Sequence, residues 1–234
     1  MVSTDGFYDE LAPYFREYAH RRRAYLSGID RLVEPRLTGT SLLDVGAGDG
    51  VRASRLAGRA GLDRLVLVEP SPAMAALCRK VGCCVHVVSI EELELRDQTF
   101  DHMTCLWNVL GHIPSHQRRV GALRKMASLL SAGGSLHLDV HNRYNGRSYG
   151  WTTVLANVAR DFLRPDRENG LREFDLVFGN RRLHGCGYLF TPAEIERTIA
   201  AAGLRVIRRK IVDYDTGDIR RSAFFGQLYF ELAP

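Results

Sequence analysis

Ten consecutive residues, Ser41-Leu42-Leu43-Asp44-Val45-Gly46-Ala47-Gly48-Asp49-Gly50, constrain what this chain can fold into more than any other stretch. Leu42, Leu43 and Val45 read as a short buried strand that runs directly into three glycines at alternate positions, and a helical pattern begins at Val51. A strand, a glycine turn and a helix in succession leave main chain bare for a ligand, because a Cβ would block close approach or the positive φ of the turn. The spacing is not the dinucleotide fingerprint G-x-G-x-x-G, which needs glycine where this chain has Val51. A glycine turn of this kind is also compatible with a plain tight turn, so a second signal is needed.

That signal lies in the next strand. Arg64-Leu65-Val66-Leu67-Val68 is a nearly unbroken apolar run, as expected of a parallel strand covered on both faces. It ends in Glu69-Pro70-Ser71, and Glu69 stands 21 positions past Gly48. This is close to the offset of about 20 residues at which nucleotide-binding folds place a ribose-binding acid. A carboxylate there accepts from both vicinal ribose hydroxyls. Ser71 and Pro72 suit the N-cap and first position of the helix that follows.

Further along, strands are expected near 41–46, 64–69, 83–88, 100–107 and 134–141, with helices over 51–60, 72–81 and 116–130. Such alternation predicts right-handed crossovers and a parallel, doubly wound α/β sheet. Before it, residues 5–35 read as two helical segments broken near Pro13 or Gly28, with Phe7, Leu11, Tyr14, Phe15 and Tyr18 forming one aromatic stripe. After it, residues 142–190 break the rhythm with a helix over Tyr149–Leu163 and two β-like stretches, Arg172–Phe178 and Leu183–Phe190. Thr191-Pro192-Ala193-Glu194 then reads as a capping box, opening a helix to Ala202 before strands at 204–213 and 222–232.

The acid-preceded G-x-G-x-G of Asp44–Gly50, with Glu69 in register, resembles class I S-adenosylmethionine (SAM)-dependent methyltransferases of the small-molecule type. The resemblance covers residues 38–140 by motif and 191–232 by element order. It implies a single domain with a Rossmann-like, seven-stranded sheet whose last strand is antiparallel. Residues 1–37 would be a helical lid, 38–141 the cofactor-binding core, 142–190 a substrate-covering insertion after the fifth strand, and 191–234 the terminal helix and strand pair. The implied cofactor is SAM. Gly46, Ala47 and Gly48, with Asp44 before them, would face its methionine part. Glu69 would hold the ribose, and Pro70 and Ser71 would border the adenine. Ser89, Ile90 and Glu91 would meet the adenine edge, chiefly through backbone; the family often has an acid where this chain has Ser89. Trp107 and Asn108, in Cys105-Leu106-Trp107-Asn108-Val109-Leu110-Gly111-His112, would lie near the sulfonium, where a ring face contributes on the order of 1 kcal/mol. Trp107 could equally be core, and His112 a cap on the next helix.

Methyl transfer from a sulfonium depends mainly on alignment, which can supply roughly 7–11 kcal/mol. An oxygen nucleophile also needs a base, and His112, His141 and Tyr14 are the candidates, with Tyr144 and Tyr188 behind them. Tyr8, Tyr14 and Arg22 of the lid are expected to face the site, the arginine pairing with the cofactor carboxylate. Asp139 lacks a second and third ligand nearby, so no metal is expected.

Net charge is +5 and the pI about 9.1. The basic residues fall in small groups such as Arg21-Arg22-Arg23 and Arg208-Arg209-Lys210, which read as solvated faces. Absent motifs argue against nucleic acid as acceptor. Asn108 is followed by Val109-Leu110 and not Pro-Pro, no cysteine follows a proline, and Lys80, Lys125 and Lys210 are ill placed for a lysine-based ribose methylation site. A small-molecule acceptor is therefore expected. An RNA methyltransferase and a non-catalytic SAM-binding relative are the alternatives. Five cysteines without a C-x-x-C pair read as reduced core residues, with Cys83 and Cys84 in a buried strand. No stretch of 18 apolar residues exists and Met1–Asp5 lacks a leader pattern, so a cytoplasmic protein with no membrane partner is expected.

Overall fold

The computed structural model describes residues 4–96, 98–166 and 168–234, so Met1, Val2 and Ser3 of the stretch read for a leader lie outside the described residues. Its strands are β1 (Ser41–Val45), β2 (Arg64–Val68), β3 (Cys84–His86), β4 (Phe100–Cys105), β5 (Leu130–Val140), β6 (Leu171–Phe178), β7 (Arg181–Tyr188), β8 (Arg205–Val212), β9 (Ile219–Arg220) and β10 (Gln227–Ala233). Its helices are α1 (Thr4–Leu11), α2 (Phe15–Arg21), α3 (Arg23–Val33), α4 (Val51–Ala60), α5 (Pro72–Cys78), α6 (Val109–His112), α7 (His116–Ser128), α8 (Gly146–Tyr149), α9 (Trp151–Leu163) and α10 (Pro192–Ala201).

One sheet runs in the order β3-β2-β1-β4-β5-β10-β8-β9. The first five strands pair in parallel, and β10 runs antiparallel to both β5 and β8. The expected seven strands and their antiparallel last member are present. An eighth strand, β9, adds two residues at the edge beside β8, too few to carry a readable period. All five residues of β1 are buried. Leu42 points to a layer with Ile29, Val33 and Leu56 from α3 and α4. Leu43 and Val45 point to the opposite layer, with Leu123 and Met126 of α7 and Ile195 of α10.

Several sequence expectations shift for physical reasons. The N-terminal segment breaks at a 3₁₀ turn containing Pro13 and again at Arg22, while Gly28 lies inside α3. Gly28 is there for contact: a Cβ on it would fall 2.4 Å from the carbonyl oxygen of Gly217. Cys84 is exposed and Cys83 half-buried, because β3 is the sheet edge; only Cys78 and Cys105 are buried thiols. The final strand starts later than expected, at Gln227, because Ala223–Phe225 forms a 3₁₀ turn. The capping box at Thr191 forms as read, Thr191 and Glu194 each accepting the other's backbone N–H at 3.2 Å.

The β-like stretches of the insertion pair with each other, as an antiparallel hairpin in register from Leu171–Tyr188 to Phe178–Arg181, and Phe190 just beyond bridges to Asn142. Phe178 and Leu183 of this hairpin share a cluster with Phe7, Leu11 and Phe15 of α1 and α2 and Met74 of α5. The N-terminal helices and the hairpin thus pack together above the carboxyl ends of β1 and β2.

Gly28→Val should lower the urea unfolding free energy by about 1–3 kcal/mol through overpacking against Gly217. Gly121→Ala, in α7 where a Cβ meets nothing within 4 Å, should instead add about 0.5–1 kcal/mol in the same measurement.

Candidate active site

The glycine turn leaves β1 at the point where strand order reverses, between β2 on one side and β4 on the other. Open α/β sheets bind ligands at such points. Gly46, Gly48 and Gly50 have φ of 69°, 61° and 72°, which only glycine adopts freely. The Gly46 and Ala47 amides both donate to the Val68 carbonyl, at 2.8 and 3.2 Å. A solvent-open crevice of about 520 Å³ lies beside the turn, lined among others by Phe15, Asp44, Gly46, Ala47, Arg52 and Trp107. Asp44 is buried and accepts the Thr104 hydroxyl at 2.5 Å. Burial raises its pKa to about 6, against the opposing pull of the Thr104 bond and Arg52. Arg52 pairs with Asp30 at 2.7 Å, and its buried Nη2 has no partner.

Glu69 is 4% exposed and ties β2 to the turn. It accepts the Gly48 N–H at 2.8 Å and the Ser71 N–H at 3.0 Å. Ser71 caps α5 by accepting from Met74 N, and its hydroxyl donates to Asp9 at 2.6 Å. Asp9 also accepts the Ala73 N–H, so α1 is fastened to the N-terminus of α5. Ser89 donates to Glu92, the Ile90 side chain joins the core, and Glu91 pairs with Arg118 at 2.7 Å. The carboxylate of Glu91 is thus held by a surface arginine.

The end of β4 carries strained backbone. Trp107 and Asn108 have φ of 63° and 61°, consecutive left-handed residues that are not glycine. Each such residue costs on the order of 1–3 kcal/mol and needs surrounding structure to hold it. Asp139 supplies that structure. It accepts the Trp107 N–H at 2.6 Å through its side chain and the Asn108 N–H at 3.2 Å through its carbonyl. Its other carboxylate oxygen accepts the Tyr25 hydroxyl of α3 at 2.5 Å. Asn108 in turn accepts the His141 N–H at 2.9 Å.

Aromatic rings close over this corner. Tyr18 stacks on Trp107 with centroids 4.7 Å apart, and the indole N–H donates to the Tyr214 hydroxyl at 3.3 Å. Phe15 lies on Gly48, where a Cβ would come within 2.6 Å of the ring. Tyr8 meets His112 edge-on at 5.3 Å. The His112 Nδ1 bonds the Cys186 carbonyl of β7 at 3.2 Å, and the His141 ring meets Tyr214 at 5.0 Å. Burial lowers His112 to about 4 and His141 to about 3. Burial likewise pushes Tyr8, Tyr18 and Tyr214 upward. At neutral pH this wall of the site carries uncharged imidazoles and phenols.

The structure therefore gathers Asp44, Gly46, Ala47, Gly48, Glu69, Pro70 and Ser71 around one turn, and Trp107, Asn108, His112 and His141 around one corner. Tyr14 joins neither group through its ring contact: it stacks on Phe178 of the hairpin at 5.0 Å. Tyr144 and Tyr188 donate to Asp161 and Glu194, inside a separate network with Arg143. Arg22 lies over the Tyr214 ring at 4.3 Å and pairs with Asp215. The sequence reading left out Arg52 and Tyr214, had Tyr18 only as part of the aromatic stripe, and weighed Asp139 only as a metal ligand. One available signal was the Asp139-Val140-His141 alternation, which puts acid and imidazole on the same side of the chain.

A family model described as a methyltransferase domain matches residues 16–209. A curated relative in Bos taurus, "Probable tRNA methyltransferase 9B", is 29% identical over 136 residues, covering 57% of this chain and 28% of that protein. The chain thus spans less than a third of that relative. The "Ubiquinone biosynthesis O-methyltransferase" of Alkalilimnicola ehrlichii is 30% identical over 169 residues, 65% of this chain and 66% of that protein. A solved S-adenosylmethionine-dependent methyltransferase from Clostridium acetobutylicum superposes with a TM-score of 0.66 over 94% of this chain and 98% of that one. Its identity is 14%, so that likeness is one of fold.

The raised Asp44 pKa fixes the sign of a pH effect. The folded state holds this proton more tightly than the unfolded chain, so the contribution to stability is complete below about pH 4 and lost as pH rises through 6. Asp44→Asn should therefore raise the urea midpoint at pH 8 and leave it unchanged at pH 4. The depressed imidazoles act oppositely: wild-type stability should fall as pH drops from 6.5 toward 4, and His141→Gln should soften that fall.

Proposed function

We propose that this chain, which belongs to the methyltransferase-domain family, is a SAM-dependent enzyme that methylates an oxygen or nitrogen of a small molecule. Bound SAM supplies an electrophilic methyl on a sulfonium, and the leaving thioether needs no proton. The residues present suit it. Positive φ at the three glycines bares the main chain of the turn, and the buried Arg52 Nη2 lacks a partner where a carboxylate would satisfy it.

In this reading Asp44, Gly46, Ala47, Gly48 and Arg52 hold the amino-acid end, and Glu69 holds the ribose. Glu69 accepts the Gly48 and Ser71 amides, which fix its carboxylate beside the turn where ribose hydroxyls would donate to it. Pro70, Ser71, Ser89, Ile90 and Glu91 flank the adenine side, with Glu91 contributing backbone because Arg118 holds its carboxylate. Trp107 and Asn108 face the transfer point. Neutral His112 and His141 each keep a lone pair at neutral pH. His112 Nδ1–H donates to the Cys186 carbonyl, which puts the imidazole lone pair on Nε2. Phe15 on Gly48 and Asp9 on α5 make residues 4–37 a lid that must shift to admit cofactor.

The observation that carries a small acceptor is the aromatic closure: Phe15, Tyr18 and Tyr8 cover the turn and corner at ring-contact distance, rings against which a small acceptor would pack. The basic balance and the tRNA-methyltransferase relative favour RNA as a second reading. No described helix is long and apolar enough to cross a membrane, and the five free thiols fit a cytoplasmic setting.

Two measurements test this. Calorimetric titration of SAM should show Glu69→Ala binding weaker by about 1.5–3 kcal/mol, with circular dichroism confirming the fold; equal affinity would remove Glu69 from the site. S-adenosylhomocysteine release should be stimulated by members of a phenol, hydroxyacid and amine panel and not by bulk tRNA. Stimulation by tRNA alone, with binding that falls steeply in salt, would replace the small-molecule reading.

A further inference from the structure

Helix α9 is amphipathic in the reverse sense: its polar face is turned inward. Val154 and Asn157 are buried and Arg160 and Asp161 half-buried. Asn157 bonds the Arg143 carbonyl and accepts from Arg172, while Asp161 accepts from Arg143 at 2.7 Å and Tyr144 at 2.8 Å. The apolar residues are left outside. Trp151, Leu155, Val158 and Phe162 recur at i, i+4, i+7 and i+11, a single stripe about 16 Å long. Phe162 is 85% exposed, Leu163 74%, Leu155 66% and Trp151 49%. At its N-terminal end the stripe continues into the 3₁₀ turn, where Trp151 meets Phe225 at 5.6 Å and Phe224 at 6.2 Å, both half-exposed rings.

Cations bracket this stripe. Arg164 follows Leu163 at the C-terminal end, and Arg221 precedes Phe224 and Phe225 at the other. Both are exposed, and among the described residues neither side chain has an ion-pair partner. Arg147, just before α9, is partly exposed and pairs with Asp213 at 3.3 Å. Exposed acids stand near both ends: Asp166 and Glu168 on the turn beyond Arg164, where Asp166 caps the Glu168 amide, and Asp218, paired with Arg220, three positions before Arg221.

We propose that the outer face of α9, with the Ala223–Phe225 turn, docks on an anionic lipid surface. Three features point there. Side chains this exposed project outward, which suits insertion among acyl chains; a protein partner would have to supply a matching pocket for each. Tryptophan and phenylalanine on one face with arginine at its margins is the composition of helices that lie in the membrane interface. A second copy of this chain fits less well: with an unpaired arginine at both ends, either alignment of two such stripes brings cation onto cation. Anionic headgroups satisfy both ends at once, and overall charge of +5 adds to the attraction. The contact is peripheral, since none of the described helices can span a membrane.

The test is co-sedimentation of the full chain with vesicles of phosphatidylcholine containing about a quarter phosphatidylglycerol, and with phosphatidylcholine alone. Wild type should bind the anionic vesicles more tightly, with affinity falling as salt rises. Leu155→Ser with Phe162→Ser should weaken binding at least about tenfold, and Arg164→Gln with Arg221→Gln should weaken it and flatten the salt dependence. All four positions are exposed, so calorimetric SAM binding should persist in every variant and confirm the fold. Wild type that stays in the supernatant with both vesicles overturns the proposal, as does binding that survives Leu155→Ser with Phe162→Ser. A wild-type dimer in sedimentation velocity that these serines convert to monomer would assign the face to a second copy instead.

Discussion

The carboxylate of Asp139 holds the site together. Burial makes its charge costly and raises its pKa, and three neighbours offset that cost: the Tyr25 hydroxyl, the Trp107 amide and, at longer range, the Arg52 guanidinium. One side chain on β5 thereby fixes the strained end of β4 and anchors α3. Without it the Trp107 N–H would lose its partner, and only the Asn108 contacts to His141 and the Asp139 carbonyl would hold the left-handed pair. Trp107 would then lose its orientation against Tyr18 and Tyr214.

Glu69 plays the corresponding part on the other side of β1. Its bonds to Gly48 and Ser71 connect the glycine turn to the start of α5, and Asp9 extends that connection to the N-terminal helix. Two buried acids therefore brace the site from behind its lining, which carries Asp44, Asp49 and Arg52, while the His112 and His141 wall is neutral. The low imidazole pKa values and raised phenol pKa values have one cause, exclusion of water by packed aromatic rings. The same exclusion that would protect a sulfonium from water keeps His112 and His141 unprotonated.

Much of the fold was legible because it is written in short-range patterns. The apolar runs at Leu42–Val45 and Arg64–Val68, the capping box at Thr191 and the proline at position 13 act within a few residues of themselves. Glu69 was legible for the same reason, since its offset from Gly48 spans one strand–turn–helix–strand unit. Asp139 as a clamp, Tyr18 on Trp107 and Phe15 on Gly48 were not, because each depends on where a distant element lands. Tyr14 shows the converse: its place in the aromatic stripe gave no hint whether it would meet the corner or the hairpin. Cys84 failed for a related reason, since adjacency in a strand does not say whether that strand lies at the sheet's edge.

The reversed amphipathicity of α9 marks the same boundary. Its stripe of Trp151, Leu155, Val158 and Phe162 is plain in the sequence and would ordinarily point inward. Only the tertiary structure turns it out, because Arg143 and Arg172 draw Asn157 and Asp161 toward the domain. The sequence by itself determined the elements, their parallel order and the bare backbone after β1, since these follow from local propensity and period. Tertiary structure decided which side chains close over that backbone and which face of each helix meets water, because those outcomes depend on hydrogen bonds and packing between separate elements, from Arg143 and Asp161 to Tyr25 and Asp139.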